Sequence, residues 1–202
     1  MPARAVVFDV GNVLYGWDPD SFLVRQIADD EERLRFIEDA DFFGWHADLD
    51  KGRPHAEAAV ELSEKFPAYA ELISRWASHF GETITGPVPE THAIVEELDA
   101  RGVPLFAITN FSHEFWQPFY EAERAFFSRF RDIVVSGDVR LLKPDPAIYY
   151  LALDRFGLRP EEAFFTDDRQ INVDAAAAVG MPAHLFTDAG TLRSRLVAEG
   201  LL

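Results

Sequence analysis

Ala5-Val6-Val7-Phe8-Asp9-Val10-Gly11-Asn12 decides the fold. Four apolar residues, two β-branched and one aromatic, suit a strand covered on both faces, as in a parallel sheet. The run then breaks at Asp9, Gly11 and Asn12, which favour a turn over a longer strand. Similar runs recur at Pro104-Leu105-Phe106-Ala107-Ile108, Asp132-Ile133-Val134-Val135, Ala163-Phe164-Phe165 and Ala183-His184-Leu185-Phe186. Helical patterns lie between them: Glu90 to Ala100 before Gly102, Pro146 to Phe156 before Gly157, and Gln170 to Val179 before Gly180. This alternation predicts an α/β fold, a Rossmann-like, mainly parallel sheet sandwiched by helices.

The first crossover breaks the rhythm. Strand one ends near Asp9 and the next begins near Val103, whereas a crossover needs only a dozen or more residues. The intervening chain reads as helices at about Pro19 to Ala28, Asp30 to Asp39, Pro54 to Phe66 and Pro67 to Phe80, with Pro54 and Pro67 suited to first turns. Gly16-Trp17 and Gly86-Pro87-Val88-Pro89 look like hinges at its two ends. The expected organisation is therefore an α/β core over residues 1–16 and 88–202, with an inserted α-helical cap over 17–87.

The 202 residues give ample room for a core, and 48% hydrophobic with 27% charged residues is globular composition, so disorder is excluded. There is no cysteine, which excludes a disulfide scaffold, a thiolate zinc site and a cysteine nucleophile and suits a reducing cytoplasm. No apolar run reaches the roughly 18 residues of a membrane span, and the first residues lack the pattern of a secretory signal. The formal charge is −16, a field that repels nucleic acid and anionic membrane. Neither is expected as a partner, and a monomer or a homodimer fits equally well. The acid is concentrated between Trp17 and Pro87, where 16 Asp and Glu face 7 Lys and Arg.

In open parallel sheets, ligands bind beyond the carboxyl ends of the strands. Strand one leads into Asp9, Gly11 and Asn12, the second into Thr109 and Asn110, and another into Thr166, Asp167 and Asp168; Lys143 follows the remaining one. Singly, these residues read as turn formers, helix caps or a solvated charge. Together they make a site. Carboxylates gathered at strand ends repel one another unless a cation compensates, and hard oxygen ligands suit Mg²⁺, which binds through one or two carboxylates plus a substrate phosphate. Lys143 adds a compact positive charge for a phosphoryl oxygen, and the Thr109 hydroxyl can bind another. Asp9 is then free to act as a carboxylate nucleophile.

Phe8-Asp9-Val10-Gly11-Asn12-Val13-Leu14, Ile108-Thr109-Asn110-Phe111-Ser112, Lys143-Pro144-Asp145-Pro146 and Phe164-Phe165-Thr166-Asp167-Asp168, in this order, resemble the four motifs of the haloacid dehalogenase superfamily. The resemblance covers the whole core, and the helical insertion is similar to that superfamily's α-helical cap. It implies Asp9 as nucleophile, Thr109 and Asn110 as phosphate-binding residues, and Gly11 and Asn12 as part of the nucleophile loop that meets the phosphate. It further implies Lys143 as the stabilising lysine, Asp168 with help from Asp167 as Mg²⁺ ligands beside Asp9 and the Gly11 carbonyl, and Asn172 as a supporting residue.

One position departs from the pattern. The phosphatases usually carry a second Asp two residues after the nucleophile, which protonates the leaving oxygen and then activates water; here stands Gly11. Three answers are open. The substrate has a good leaving group, such as the anomeric oxygen of a sugar 1-phosphate; another residue takes over, His113 being nearest to a motif; or the reaction expels a group that needs no proton, as halide displacement does. Haloacid dehalogenases also lack the second Asp, and Tyr149 sits where they carry a tyrosine. They use no Mg²⁺ site, however, and the Asp167-Asp168 pair favours a Mg²⁺-dependent phosphatase of a small phosphorylated metabolite. A first motif of the Phe-Asp-x-Gly-Asn-Val kind is similar to that of sugar-phosphate phosphatases in the superfamily. A catalytically weak interaction module on the same fold is a further alternative.

Outside the motifs most residues read as structural. Trp17 follows the nucleophile loop and Trp45 falls in an expected substrate-facing cap turn, so these two tryptophans are candidates for substrate contact. Lys51 and Arg53 are the cap's candidates for a substrate anion. His46 and His55 form no helical ligand pair, so zinc is not expected. An acidic cap over a phosphate site would slow anionic substrates, so its acids are expected to point outward.

Overall fold

The computed structural model describes residues 3–202. β1 (Ala5–Phe8) is the central strand of a five-stranded parallel sheet. On one side it pairs with β4 (Leu105–Thr109), which pairs with β5 (Asp132–Val135). On the other it pairs with β6 (Ala163–Asp167), which pairs with β7 (Ala183–Leu185). The order β5-β4-β1-β6-β7 means that the chain builds outward on one side of β1 and then crosses to the other. That reversal leaves a crevice beyond the carboxyl ends of β1, β4 and β6.

Side chains alternate across the sheet with period two. Val6, Phe8, Leu105, Ala107 and Phe164 enter one apolar core; Ala5, Val7, Phe106, Ile108 and Phe165 enter the other. The second core is closed by α10 (Pro146–Phe156) and α11 (Gln170–Val179), through Ile148, Ala152, Leu153, Ala176 and Val179. On the first, α6 (Pro89–Ala100) and α12 (Ala189–Ala198) contribute Ile94, Val95, Leu98, Leu192 and Leu196. After β4 come α7 (His113–Ala122) and α8 (Arg124–Phe127), and after β5 a single turn, α9 (Ser136–Val139).

Between β1 and α6 lie five helices: α1 (Asp20–Gln26), α2 (Asp30–Asp39), α3 (Phe42–Asp50), α4 (His55–Lys65) and α5 (Ala70–His79). They pack on an aromatic centre in which Trp76 touches Phe22, Phe42, Trp45, His46 and Phe80. The segments expected as hinges are paired: β2 (Tyr15–Trp17) runs antiparallel to β3 (Ile84–Pro87). Glycine at positions 16 and 86 reads as loop in one dimension, and only the non-local pairing makes it strand. A second difference is α3, which occupies the stretch expected as a turn. All acids between Trp17 and Pro87 are exposed, as expected, except Asp50.

Candidate active site

β1, β4 and β6 are neighbours, so the residues that follow them meet without any long reach. Asp9 is anchored by its own N–H to the Thr166 carbonyl at 2.9 Å, and its Oδ1 accepts from the Val10 N–H at 2.7 Å. Lys143 comes from the loop before α10 and is 3% exposed. Its Nζ lies 2.8 Å from Asp9 Oδ1 and 2.7 Å from Asp167 Oδ2. Asn110, just past β4, holds that loop by its backbone: its Nδ2 donates to the Lys143 carbonyl at 3.0 Å and its Oδ1 accepts from the Lys143 N–H at 2.8 Å. The Asn110 amide thus sets where the ammonium stands. Thr109 is buried beside it and lines the cavity.

Asp167 is fully buried and heavily engaged. Besides Lys143 it accepts from the Arg169 N–H at 2.9 Å and from Asn172 Nδ2 at 2.9 and 3.1 Å. Asp168 is more open and accepts from Asn12 Nδ2 at 3.2 Å. Asn12 adopts a left-handed backbone, φ 55°, which asparagine tolerates better than most residues. Its Oδ1 also accepts from the Trp17 N–H at 2.9 Å. One side chain therefore ties the loop after β1 to Asp168 and to the first strand of the ribbon.

The electrostatics leave negative charge in excess. Burial, reinforced by Asp167 and Asp168, pushes the Asp9 carboxyl up despite Lys143. Burial also raises Asp168, against the pull of its bond from Asn12. Burial alone would lower Lys143, but Asp9 and Asp167 outweigh it and hold the ammonium above its ordinary value. Asp9, Asp167 and Asp168 each offer an oxygen within 4.8 Å of the others. The buried Asn172 Oδ1, on the same cavity wall, has no partner among the described residues. An all-oxygen donor set carrying more than one uncompensated charge fits a hard divalent cation.

These groups open into a cavity of about 390 Å³ whose opposite wall is aromatic. Trp17 lies there, stacked on His46 at 5.3 Å, and His46 stacks on Phe80 at 5.8 Å. Phe43, His46, Ala47 and Asp50 line the cavity from α3, the i, i+3, i+4, i+7 spacing of one helix face. Phe42, Trp45 and Leu49 are buried on its other face. So Trp45 packs inside the insert and does not reach the site. Lys51 is exposed and does not line the cavity, and Arg53 is paired with Glu61 and lies 3.6 Å from Asp48. His113 is exposed, bonded to Asp138, and absent from the cavity wall. Of the four cap candidates only Trp17 meets the cavity. His46, Asp50 and Arg169 line it without having been expected there. Arg169 stands directly after the Asp167-Asp168 pair, and that adjacency was the signal for it.

The family model for haloacid dehalogenase-like hydrolases matches residues 3–180. The chain belongs to this family. Among its relatives, a phosphoglycolate phosphatase of Shigella boydii serotype 4 is 29% identical over 133 residues, 65% of this chain and 52% of that protein. The chain thus spans about half the length of the curated phosphatases it matches. Among solved structures, the HAD family enzyme bt-2542 of Bacteroides thetaiotaomicron, in a magnesium complex, superposes with a TM-score of 0.74 at 20% identity, covering 98% of this chain and 99% of that one. An L-2-haloacid dehalogenase of Xanthobacter autotrophicus gives 0.65 at 16% identity, covering 97% and 83%. These likenesses carry the haloacid dehalogenase-like fold, which phosphatases and dehalogenases share.

Proposed function

We propose that this haloacid dehalogenase-like hydrolase is a Mg²⁺-dependent phosphatase of a small phosphorylated metabolite, with residues 17–87 acting as the cap that encloses it. The observation that carries this reading is the convergence of Asp9, Asp167 and Asp168 around Lys143. A metal-free halide displacement could use Asp167 to orient Lys143, but it has no cation for the more open Asp168 to hold. Tyr149, the residue in common with the dehalogenases, is fully buried and donates to the Asn172 carbonyl at 2.9 Å, off the cavity wall.

Asp9, Asp168 and the Gly11 carbonyl would hold the ion, while Asp167, its oxygens already engaged, orients Lys143. Mg²⁺ when bound supplies positive charge to the phosphoryl oxygens. Asp9 attacks phosphorus in line through the carboxylate oxygen that Lys143 does not hold. The Lys143 ammonium and the Thr109 hydroxyl meet the equatorial oxygens as their charge grows. The phosphoryl group passes to Asp9, and water then cleaves the aspartyl-phosphate. The aromatic wall excludes bulk solvent and accepts the organic part of the ester; a sugar phosphate, a 1-phosphate included, suits the cavity's size.

A panel of phosphate esters with and without Mg²⁺, with chloride release from 2-chloroacids in parallel, tests the reading. Phosphate release that needs Mg²⁺ and is lost in Asp9→Asn is the expected result. Release that survives Asp9→Asn or excess EDTA, or halide release without metal, overturns it.

A further inference from the structure

The core has no proton donor for the leaving oxygen. Gly11 has no side chain, the Asn12 amide is committed to Trp17 and Asp168, and Lys143 is bridged between two carboxylates. The titratable groups of the cavity outside that constellation are Tyr15, His46, Asp50 and Arg169. The Tyr15 hydroxyl already donates to Glu123 Oε2 at 2.8 Å, and burial together with that carboxylate holds its proton more tightly than usual. An arginine keeps its proton, and His46, pushed down to about 4 by burial, has no proton to give as an imidazolium near neutrality. Asp50 remains.

We infer that Asp50 is the general acid and base of this enzyme, supplied by the cap in place of the side chain that Gly11 lacks. The inference rests on the phosphatase reading and deepens it. Asp50 is the one acid of residues 17–87 that is not exposed, and it ends the helix face that lines the cavity. Its position does not depend on a loosely held cap. The Ser136 hydroxyl donates to the Asp50 carbonyl at 2.5 Å and accepts from the Phe111 N–H at 2.8 Å. Phe111 follows Asn110, so one hydroxyl pins the end of α3 to the loop beyond β4. Gly52 and Gly137 close the same contact: a Cβ at Gly52 would stand 2.7 Å from the Gly137 carbonyl, and one at Gly137 2.4 Å from the His113 backbone nitrogen.

The surroundings keep the proton on. Burial pushes the Asp50 carboxyl up to about 8, against the Ser112 backbone, which favours the anion. His46 Nε2 is 3.8 Å from Asp50 Oδ1 on the same helix. Of the charged groups on the elements packed around it, Glu61 on α4 is paired with Arg53, Asp138 on α9 is bonded to His113, and the acids of α2 are exposed. Arg140 lays its stem near Gly52. Lys143 on the cavity wall is bound to Asp9 and Asp167, and Asp168 to Asn12. Among the described residues no cation acts on the Asp50 carboxyl.

In the first step the Asp9 oxygen bonds to phosphorus as the bond to the ester oxygen breaks. That oxygen takes the Asp50 proton and leaves as an alcohol. In the second, Asp50, now a carboxylate, takes a proton from water while the water oxygen bonds to phosphorus. The bond from phosphorus to Asp9 breaks, inorganic phosphate departs, and both aspartates return to their starting states.

The test is a series of aryl phosphates graded by leaving-group acidity, from 2,4-dinitrophenyl to 4-methoxyphenyl phosphate, with acetyl phosphate, in the full-length protein with Mg²⁺. General-acid catalysis is typically worth about 10² to 10⁴ in rate. Asp50→Asn should lose that much kcat on 4-methoxyphenyl phosphate and less than tenfold on 2,4-dinitrophenyl and acetyl phosphate. A Cβ at Gly11 meets nothing within 4 Å, so Gly11→Asp added to Asp50→Asn should restore part of the loss on the poor leaving group. Equal loss on every ester, no loss on any, or no recovery with Gly11→Asp overturns the inference while hydrolysis of acetyl phosphate keeps the phosphatase reading. If wild type hydrolyses none of these compounds, acetyl phosphate included, both fall.

Discussion

At Asp50 the same burial that suits a proton donor has a thermodynamic signature. Its ordinary value of 3.8 rises to about 8 in the fold, so between those limits the folded protein holds a proton that the unfolded chain releases. The stabilisation is complete below about pH 4 and is lost as the pH rises through about 8. Asp50→Asn cannot ionise. It should match wild type near pH 4 and exceed it by an amount on the order of a few kcal/mol above pH 8, read from denaturant midpoints at each pH. His46 acts in the opposite sense. Its value falls from 6.5 to about 4, so its contribution is full above 6.5 and lost as the pH drops through about 4, and His46→Gln should flatten that acid limb. Lys143→Met leaves Asp9 and Asp167 buried without their partner and should cost about 3 to 5 kcal/mol in chemical denaturation. The convergence of Asp9, Lys143 and Asp168 was legible in the sequence because each follows a recognisable strand. The role of Asn110 in fixing Lys143 was not, since it depends on two loops 33 residues apart meeting in register.

Among the elements, strands β1, β4, β5, β6 and β7 were visible because each is a short apolar run, and α6, α10 and α11 because each ends near glycine; α7 and α8 carry no such stop signal. α3 was hidden for a physical reason. Trp45 and Leu49 on one face enter the cap's apolar centre, while Phe43 and His46 on the other line the cavity. Both faces are rich in rings and the apolar contrast that marks an amphipathic helix is weak. Trp45 was therefore credited with the position that His46 holds one residue later. The docking of α3 on α9 is also testable. Ser136→Ala removes the hydroxyl that joins the Asp50 carbonyl to the Phe111 N–H. It should cost about 1 to 3 kcal/mol and speed amide exchange at the carboxyl end of α3 while the central sheet stays protected. Unchanged exchange there would contradict the tether.

For the whole molecule, the formal charge of −16 and the anionic substrate proposed above would work against each other at a distance. The acids between Trp17 and Pro87, Asp50 excepted, face solvent, where salt screens them; Lys143 and the cation proposed above would act at contact range inside the cavity. Raising NaCl from 20 to 200 mM at fixed Mg²⁺ should therefore increase kcat/KM for a dianionic ester several-fold and leave kcat nearly unchanged. A decrease in kcat/KM would mean that Arg169 and the site's own positive field dominate the approach. Net charge was readable at once from composition. Its distribution needed the fold, because only packing distinguishes Asp50 from its exposed neighbours.

The paired strands β2 and β3 carry a consequence for how such a molecule can change. Tyr15 lies opposite Pro87 and Gly16 opposite Gly86, so the chain leaves the core and returns to it through one doorway. The distance to be bridged is set by the ribbon, and the entropy of closing whatever lies between grows only slowly with length. Lineages can lengthen, shorten or replace the cassette beyond Trp17 while the parallel sheet goes on folding around β1. The cavity's aromatic wall can thus be rewritten in one contiguous stretch of gene without touching the residues that follow β1, β4 and β6.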